Sequence, residues 1–319
     1  MRKRAGTGFC SGLFSLAALL AGGCASTTAT DFGADPAAVE LTSTPFFPQE
    51  RYQCGPAALM TVLSYSGATV TLDELVANVY LPAREGSLQT EIIAASRRAE
   101  RIPYRIDGSL ASISAELNAG RPVLVLQNLG VSWFPRWHYA VVYGIDPDRN
   151  LVRLRSGTDA NRTSKAGTFL RTWRRSDNWA IVVLRPDELP ANPDRLEYFS
   201  SISALEATGH LTTANQAWRT ARARWPNDLL PLFGLANTEL SQGNLVRAEQ
   251  HYLELLVREP THAMARNNLA YTLAGMGRIP EAIQQLETAL KLPDLRPAVA
   301  NELQASLDEI SSMRSFSVD

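Results

Sequence analysis

The sequence predicts an α+β domain followed by an all-α domain, and three observations carry that prediction. Between residues 41 and 187 helical patterns come first and strand-like runs second, the order of a fold that gathers its helices beside an antiparallel sheet. From residue 195 to the end, landmark residues recur every 34 positions. Between the two lies Pro186-Asp-Glu-Leu-Pro-Ala-Asn-Pro193, a linker by composition, centred on 188–194. At 319 residues the chain is long enough for both domains.

Ahead of them, Met1-Arg-Lys-Arg is a basic opening and Phe9 to Leu20 a short apolar run, too short for a transmembrane helix. Leu19-Leu-Ala-Gly-Gly-Cys24 resembles a lipoprotein signal over residues 1–24, in which Cys24 is lipidated; the plainer alternative is an ordinary secretory signal. Ala25 and Ser26 after the cysteine, with no aspartate, imply by the same resemblance the outer membrane of a Gram-negative cell, facing the periplasm. Residues 25–40, rich in Ser, Thr, Ala and Asp, are expected to be a flexible tether. Of three cysteines, Cys10 would leave with the signal and Cys24 would be acylated, so Cys54 would be the single remaining thiol and no internal disulfide could form.

Within 41–187, Phe46 to Gln49 reads as an extended lead-in and Cys54 to about Gly67 as a helix, with Pro56 in its first turn and Gly67 as its C-cap. Thr71-Leu-Asp-Glu74 is a capping box opening a helix to about Tyr80. Leu88 to Ala99 and Leu110 to Asn118 are further helices, and Ile102 to Ile106 a strand. Pro122 to Gln127 is continuously apolar, as a buried strand would be. His138 to Ile145 and Leu151 to Thr158 are strands joined by the turn Asp146-Pro-Asp-Arg-Asn150. Thr168 to Trp173 and Trp179 to Leu184 are expected to complete the sheet.

The chemistry concentrates on Cys54. At a helix N-terminus, unpaired amides and the helix dipole favour thiolate, so this cysteine is expected to be reactive. Of four histidines only His138 lies in the N-terminal half, at the start of a strand, where a folded chain can bring a base to a distant nucleophile. Gln49 offers a neutral donor for a developing oxyanion.

Gln49, Cys54-Gly55-Pro56-Ala57 and His138-Tyr139 on a Val-rich strand together resemble the papain-like cysteine peptidase domain of bacteriocin-processing exporters, the double-glycine leader peptidases. The resemblance implies Cys54 as nucleophile, His138 as general base and Gln49 as oxyanion donor, acting on a peptide or leader substrate without cofactor or metal. That family places an aspartate on the following strand, where this chain has Ser156. Ser156 or Asp159 is therefore expected to orient the imidazole. Asp146 stands eight residues along the same strand from His138, roughly 26 Å away at about 3.3 Å per residue, too far to serve. The rival readings are a catalytically inactive peptide-binding scaffold and a thiol acyltransferase or amidase.

The remaining features exclude more than they assign. Lys+Arg number 31 against 32 Asp+Glu, which gives no basic surplus for nucleic acid. None of the three lysines follows a glycine, so no nucleotide-binding phosphate loop is present. Arg97, Arg98, Arg101 and Arg105 are expected on a solvated face. Trp133, Phe134 and Trp137 would either wall a substrate groove or cover the end of the sheet.

In 195–319, Gly209, Gly243 and Gly277 fall 34 residues apart, as do Ala214, Ala248 and Ala282. Trp218, Tyr252 and Leu286 share one position of the period, and Ala221, Leu255 and Ala289 another. This is the tetratricopeptide pattern, a stack of helix pairs with a concave face for a protein partner, closed by a capping helix from Pro297 to Met313. His210, His251 and His262 occupy no common repeat position, against a metal site. The expected protein is thus an exported, lipid-anchored cysteine peptidase with a partner-binding module.

Overall fold

The computed structural model describes residues 32–34, 37–50 and 53–315, so Cys24 and the lipoprotein signal lie outside the described residues. Seven strands form one antiparallel sheet: β1 (Val39–Glu40), β2 (Ile102–Arg105), β3 (Val123–Asn128), β4 (Trp137–Asp146), β5 (Leu151–Ser156), β6 (Asp159–Lys165) and β7 (Ala180–Leu184). Their order is β2-β7-β3-β4-β5-β6, with β1 pairing β4.

The central strands are covered on both sides, and their alternation sorts the side chains between two layers. Leu124, Leu126, Tyr139 and Val141 pack with Leu59, Val62 and Leu63 of α1 (Cys54–Tyr65), beside α2 (Leu72–Val79) and α3 (Gln89–Arg98). Val123, Val125, Ala140 and Val142 face the other way, toward α4 (Leu110–Asn118) and α5 (Ala166–Arg174). The Thr71–Glu74 capping box forms as expected, with Thr71 N–H donating to the Glu74 carboxylate at 2.8 Å.

Two expectations about the sheet are corrected. Residues 168–173 are not a strand but part of α5. Ala166, Phe169 and Trp173, at helical spacing, are all buried, so the 3.6-residue period outweighs the β-propensity of Thr168, Phe169, Thr172 and Trp173. The edge strand in their place is β6, Asp-Ala-Asn-Arg-Thr-Ser-Lys, which lies largely exposed and carries no apolar alternation to read. The expected tether over 25–40 is corrected in its described part, which packs on the domain. Phe32 is buried in the core, and Val39–Glu40 pair with Gly144 and Ile145 of β4. A Cβ at Gly144 would stand 2.9 Å from the Val39 carbonyl, so glycine there permits that pairing.

The repeat region is a stack of helices: α6 (Arg195–Ala207), α7 (Leu211–Arg224), α8 (Leu230–Ser241), α9 (Leu245–Arg258), α10 (Ala263–Gly275), α11 (Ile279–Leu290) and α12 (Pro297–Ser315). Gly209, Gly243 and Gly277 turn the chain within each pair at φ +83°, +77° and +77°, the left-handed conformation that ends a helix most cheaply with glycine. Ala214, Ala248 and Ala282 are wholly buried at the crossings.

The two domains are not independent bodies joined by a free linker. Tyr198, Phe199, Ile202 and Trp218 belong to the same buried cluster as Ile102, Tyr104 and Val182 of the sheet domain. The expected linker is pinned: Ala191 N–H donates to the Glu116 carboxylate at 2.7 Å, and Asp194 N–H to the Tyr104 hydroxyl at 2.9 Å. Glu116 is itself buried and paired with Arg121 at 2.6 Å. Arg101 likewise departs from a merely solvated face, since its guanidinium donates to the Ser66 carbonyl and hydroxyl and so ties the end of α1 to α3.

Candidate active site

Cys54 is the first residue of α1, whose first turns are buried and whose N-cap residue, Gln53, makes no side-chain capping bond. Gly55 allows that end to sit where it does. A Cβ there would come within 2.4 Å of Ser87 Oγ, so the loop carrying Ser87 closes directly over the start of the helix. The Cys54 sulfur is turned toward the backbone N–H groups of Cys54, Gly55 and Tyr139, all of which favour its thiolate. Burial is the larger influence and pushes the Cys54 thiol above its ordinary value. The expected thiolate is therefore corrected: the helix end does not overcome the desolvation of the sulfur.

His138 stands on β4 immediately before Tyr139, opposite Gln127 of β3. Its Nε2 lies 2.8 Å from Ser156 Oγ, the residue that ends β5. Burial, then the charges of Arg162 and Arg136, depress the imidazole to about 4. Thiol and imidazole are thus both neutral near pH 7, and among the described residues no hydrogen bond joins the sulfur to the ring.

Gln49 arrives on a strap that runs from β1 to α1. Leu41 N–H donates to the Tyr143 carbonyl at 2.8 Å, and the Arg155 guanidinium grips the Thr44 carbonyl at 2.9–3.1 Å while stacking on the Tyr143 ring. Gln49 N–H then donates to the Gly157 carbonyl at 3.2 Å, one residue past Ser156. The result is a narrow cleft lined by Phe46, Phe47, Gln49, Cys54, Tyr139 and Ser156, among others.

The structure thus gathers Gln49, Cys54 and Ser156 around one cleft, with His138 bonded to Ser156. Asp159 is exposed and its carboxylate accepts from the Asn161 N–H at 2.9 Å, so the ring's partner is Ser156. Asp146 accepts from Arg149 N–H in the β4–β5 turn. Trp133, Phe134 and Trp137 do not cover the end of the sheet; they are 86%, 71% and 54% exposed, and none lines the cleft. Sequence reasoning used Tyr139 only as part of the strand motif and missed Ser87 and Arg155. Arg155 fits an ordinary strand alternation and Ser87 lies in a loop, so neither carries a local signal.

No group of His, Cys, Asp and Glu among the described residues has the arrangement of a metal site, and no helix among them is long and apolar enough to cross a membrane.

Residues 41–181 match the model of the Peptidase_C39 like family, and residues 201–263 and 233–300 match the tetratricopeptide-repeat model. No curated protein sequence matches the chain. Similar solved structures include a protein described as a C39-like peptidase from Bacillus anthracis, 16% identical with a TM-score of 0.40, covering 46% of this chain and 98% of its own. Another is the peptidase domain of Streptococcus ComA, titled a bi-functional ABC transporter of a quorum-sensing pathway. It is 17% identical with a TM-score of 0.34, and covers 44% of this chain and 98% of its own.

Proposed function

From a C39-like peptidase domain fused to tetratricopeptide repeats, we propose a cysteine peptidase that cleaves a peptide or leader-type substrate, with Cys54 as nucleophile and His138 as base. The observation that supports it is the cleft in which Gln49, Cys54 and Ser156 meet, with His138 Nε2 held 2.8 Å from Ser156 Oγ. When Ser156 Oγ accepts from Nε2–H, Nδ1 is the nitrogen left to take a proton.

In this mechanism His138 Nδ1 takes the Cys54 proton as the substrate carbonyl arrives, and the sulfur attacks the carbonyl carbon. The oxyanion accepts hydrogen bonds from the Gln49 amide and the Cys54 N–H. The C–N bond then breaks, and the leaving amine takes the proton from Nδ1. Water, deprotonated by the same nitrogen, hydrolyses the thioester. Because the resting pair is neutral, proton transfer accompanies attack rather than preceding it.

A second reading, a peptide-binding scaffold without turnover, is favoured by that same neutral pair and by a hydroxyl in the place of a carboxylate. The deciding experiment incubates the chain with a library of peptides and follows cleavage by mass spectrometry, beside Cys54→Ala. Cleavage lost in Cys54→Ala supports the peptidase. Binding of the same peptides by both proteins without cleavage supports the scaffold. Acyl transfer to an added amine would identify the acyltransferase.

We further propose export with lipidation at Cys24, anchoring the chain in the cell envelope with the repeats' concave face toward a protein partner. Cys24→Ala should release the protein from the membrane fraction. A variant that stays with the membrane would refute lipid anchoring through this cysteine.

A further inference from the structure

The hairpin tip between β3 and β4 is built to be rigid and yet leaves large aromatic rings in water. Asn128 Oδ1 accepts from the N–H groups of Gly130 and Arg136, both at 2.9 Å. Leu129 N–H donates to the Arg136 carbonyl, while Val131 and Phe134 exchange backbone bonds at 3.1 and 3.2 Å. Arg175, at the end of α5, donates to the Gly130 carbonyl. A Cβ at Gly130 would stand 2.3 Å from the Phe134 carbonyl, so the turn is tightly closed. This frame carries Trp133, Phe134 and Trp137, all exposed.

Basic side chains lie beside the rings, with Asp177 the exposed acidic residue of the same segment. From Val123 to Ile145 the chain has no acidic residue, and Arg136 lies within the tip. The last turn of α5 lies against residues 126–130 through Ser176 Oγ and Arg175, and it presents Arg171 and Arg174 to solvent. None of these four arginines belongs to an ion pair among the described residues. The whole chain has a net charge of −1, so the basic character is local.

We propose that this tip docks on a lipid bilayer bearing anionic headgroups, with Trp133 and Phe134 seated at the headgroup level and the arginines against the phosphates. Tryptophan suits that boundary because its ring is apolar and its N–H polar, and arginines near the surface add attraction to anionic lipid. The shape selects a membrane over a peptide. The rings stand exposed at a hairpin tip and take no part in the cleft, whereas a bound peptide would need a groove to bury them. Docking here would hold the mouth of the cleft close to the membrane surface, since Trp137 adjoins His138.

The test uses the full chain with Cys24→Ser, so that no lipid can be attached, and vesicles of phosphatidylcholine alone or mixed with phosphatidylglycerol. Brominated lipid quenches only tryptophan that enters the bilayer. Trp173, Trp179 and Trp218 are buried, Trp225 is half-buried against the core shared by the two domains, and residues 1–31 contain no tryptophan, so the quenching that is lost in the double aromatic variant reports on the tip. Quenching is expected with the anionic vesicles and reduced by salt. Trp133→Ser/Phe134→Ser should lower partitioning on the order of tenfold with unchanged circular dichroism, and Arg171→Gln/Arg174→Gln should weaken the preference for anionic lipid. Absence of quenching, or equal partitioning of the parent and the double aromatic variant, would overturn the proposal. So would a tip whose emission shifts with a soluble acidic, leucine-rich peptide and not with vesicles, which would make it a peptide surface.

Discussion

Replacing Ser156 by aspartate tests the account of the site most directly. A serine hydroxyl can either donate to His138 Nε2 or accept from it, so it does not fix which ring nitrogen is free of hydrogen. A carboxylate can only accept. It would hold the proton on Nε2, leave Nδ1 as the base and stabilise the imidazolium. An opposite charge at hydrogen-bond distance raises such a group by roughly a factor of 10 to 1,000 in its protonation equilibrium, which would carry His138 from about 4 to roughly 5–7. Proton transfer from thiol to imidazole gains the same factor, so the share of Cys54 present at pH 7 as thiolate paired with imidazolium rises with it. The assay is alkylation of Cys54 by iodoacetamide across pH 4–10, with Cys10 and Cys24 replaced by serine. The parent should react slowly at pH 7, with the rate climbing above pH 9, because burial holds the thiol up. Ser156→Asp should react at least about tenfold faster at pH 7, with a new rise in the window where the imidazole loses its stray protonation. A folded Ser156→Asp that alkylates at the parent rate at pH 7 would refute the reasoning.

For turnover, Cys54→Ala and His138→Ala should each abolish cleavage without loss of helical signal, while Gln49→Ala should leave cleavage lower by on the order of 10²–10³. As the base must be neutral to accept a proton, kcat/KM should fall only as the pH drops through about 4, and Arg162→Gln, which removes a depressing charge, should move that limb upward. Gly55→Ala forces a Cβ to 2.4 Å from Ser87 Oγ and should lower stability by about 1–3 kcal/mol in a denaturant titration. A fragment beginning at Asp194 should aggregate or lose α6 and α7 in hydrogen exchange, since Tyr198 and Phe199 would be stripped of their cover, whereas residues 230–319 keep a core of their own.

What the sequence discloses and what it hides divide along a physical line. The repeats were legible because each landmark is used three times in one geometry: a left-handed glycine, an alanine at a crossing and a large residue beneath it. Cys54 and His138 could be picked out because each is a rare residue type in an informative place, and Gln49 because it stands five residues before that cysteine. Ser156 was reachable through the turn at 146–150, which fixes where β5 folds back on β4. The strand β6 was hidden because an edge strand needs no apolar face, and α5 because its helical stripe of Ala166, Phe169 and Trp173 is written in residues that also suit a sheet. The shared core between the domains was hidden for a different reason: a tyrosine that packs under its own repeat and one that packs on a neighbouring sheet look alike along the chain.

The ionisation of the site was the deepest omission, and its cause sets the limits of motif reading. A helix N-terminus does lower a thiol, and three amides do face the Cys54 sulfur, yet the burial that lets those amides act on it also strips the thiolate of water. Which effect wins depends on the cover supplied by Ser87, Tyr139 and the strap bearing Phe46 and Gln49, residues that stand from 5 to 85 positions away from Cys54 along the chain. The same burial acts on His138 with the opposite sign, so both partners are driven to their neutral forms together. A carboxylate on β5 would counter that tendency; a serine does not. Ser156 therefore sets whether the pair rests ready or must be charged by the arriving substrate.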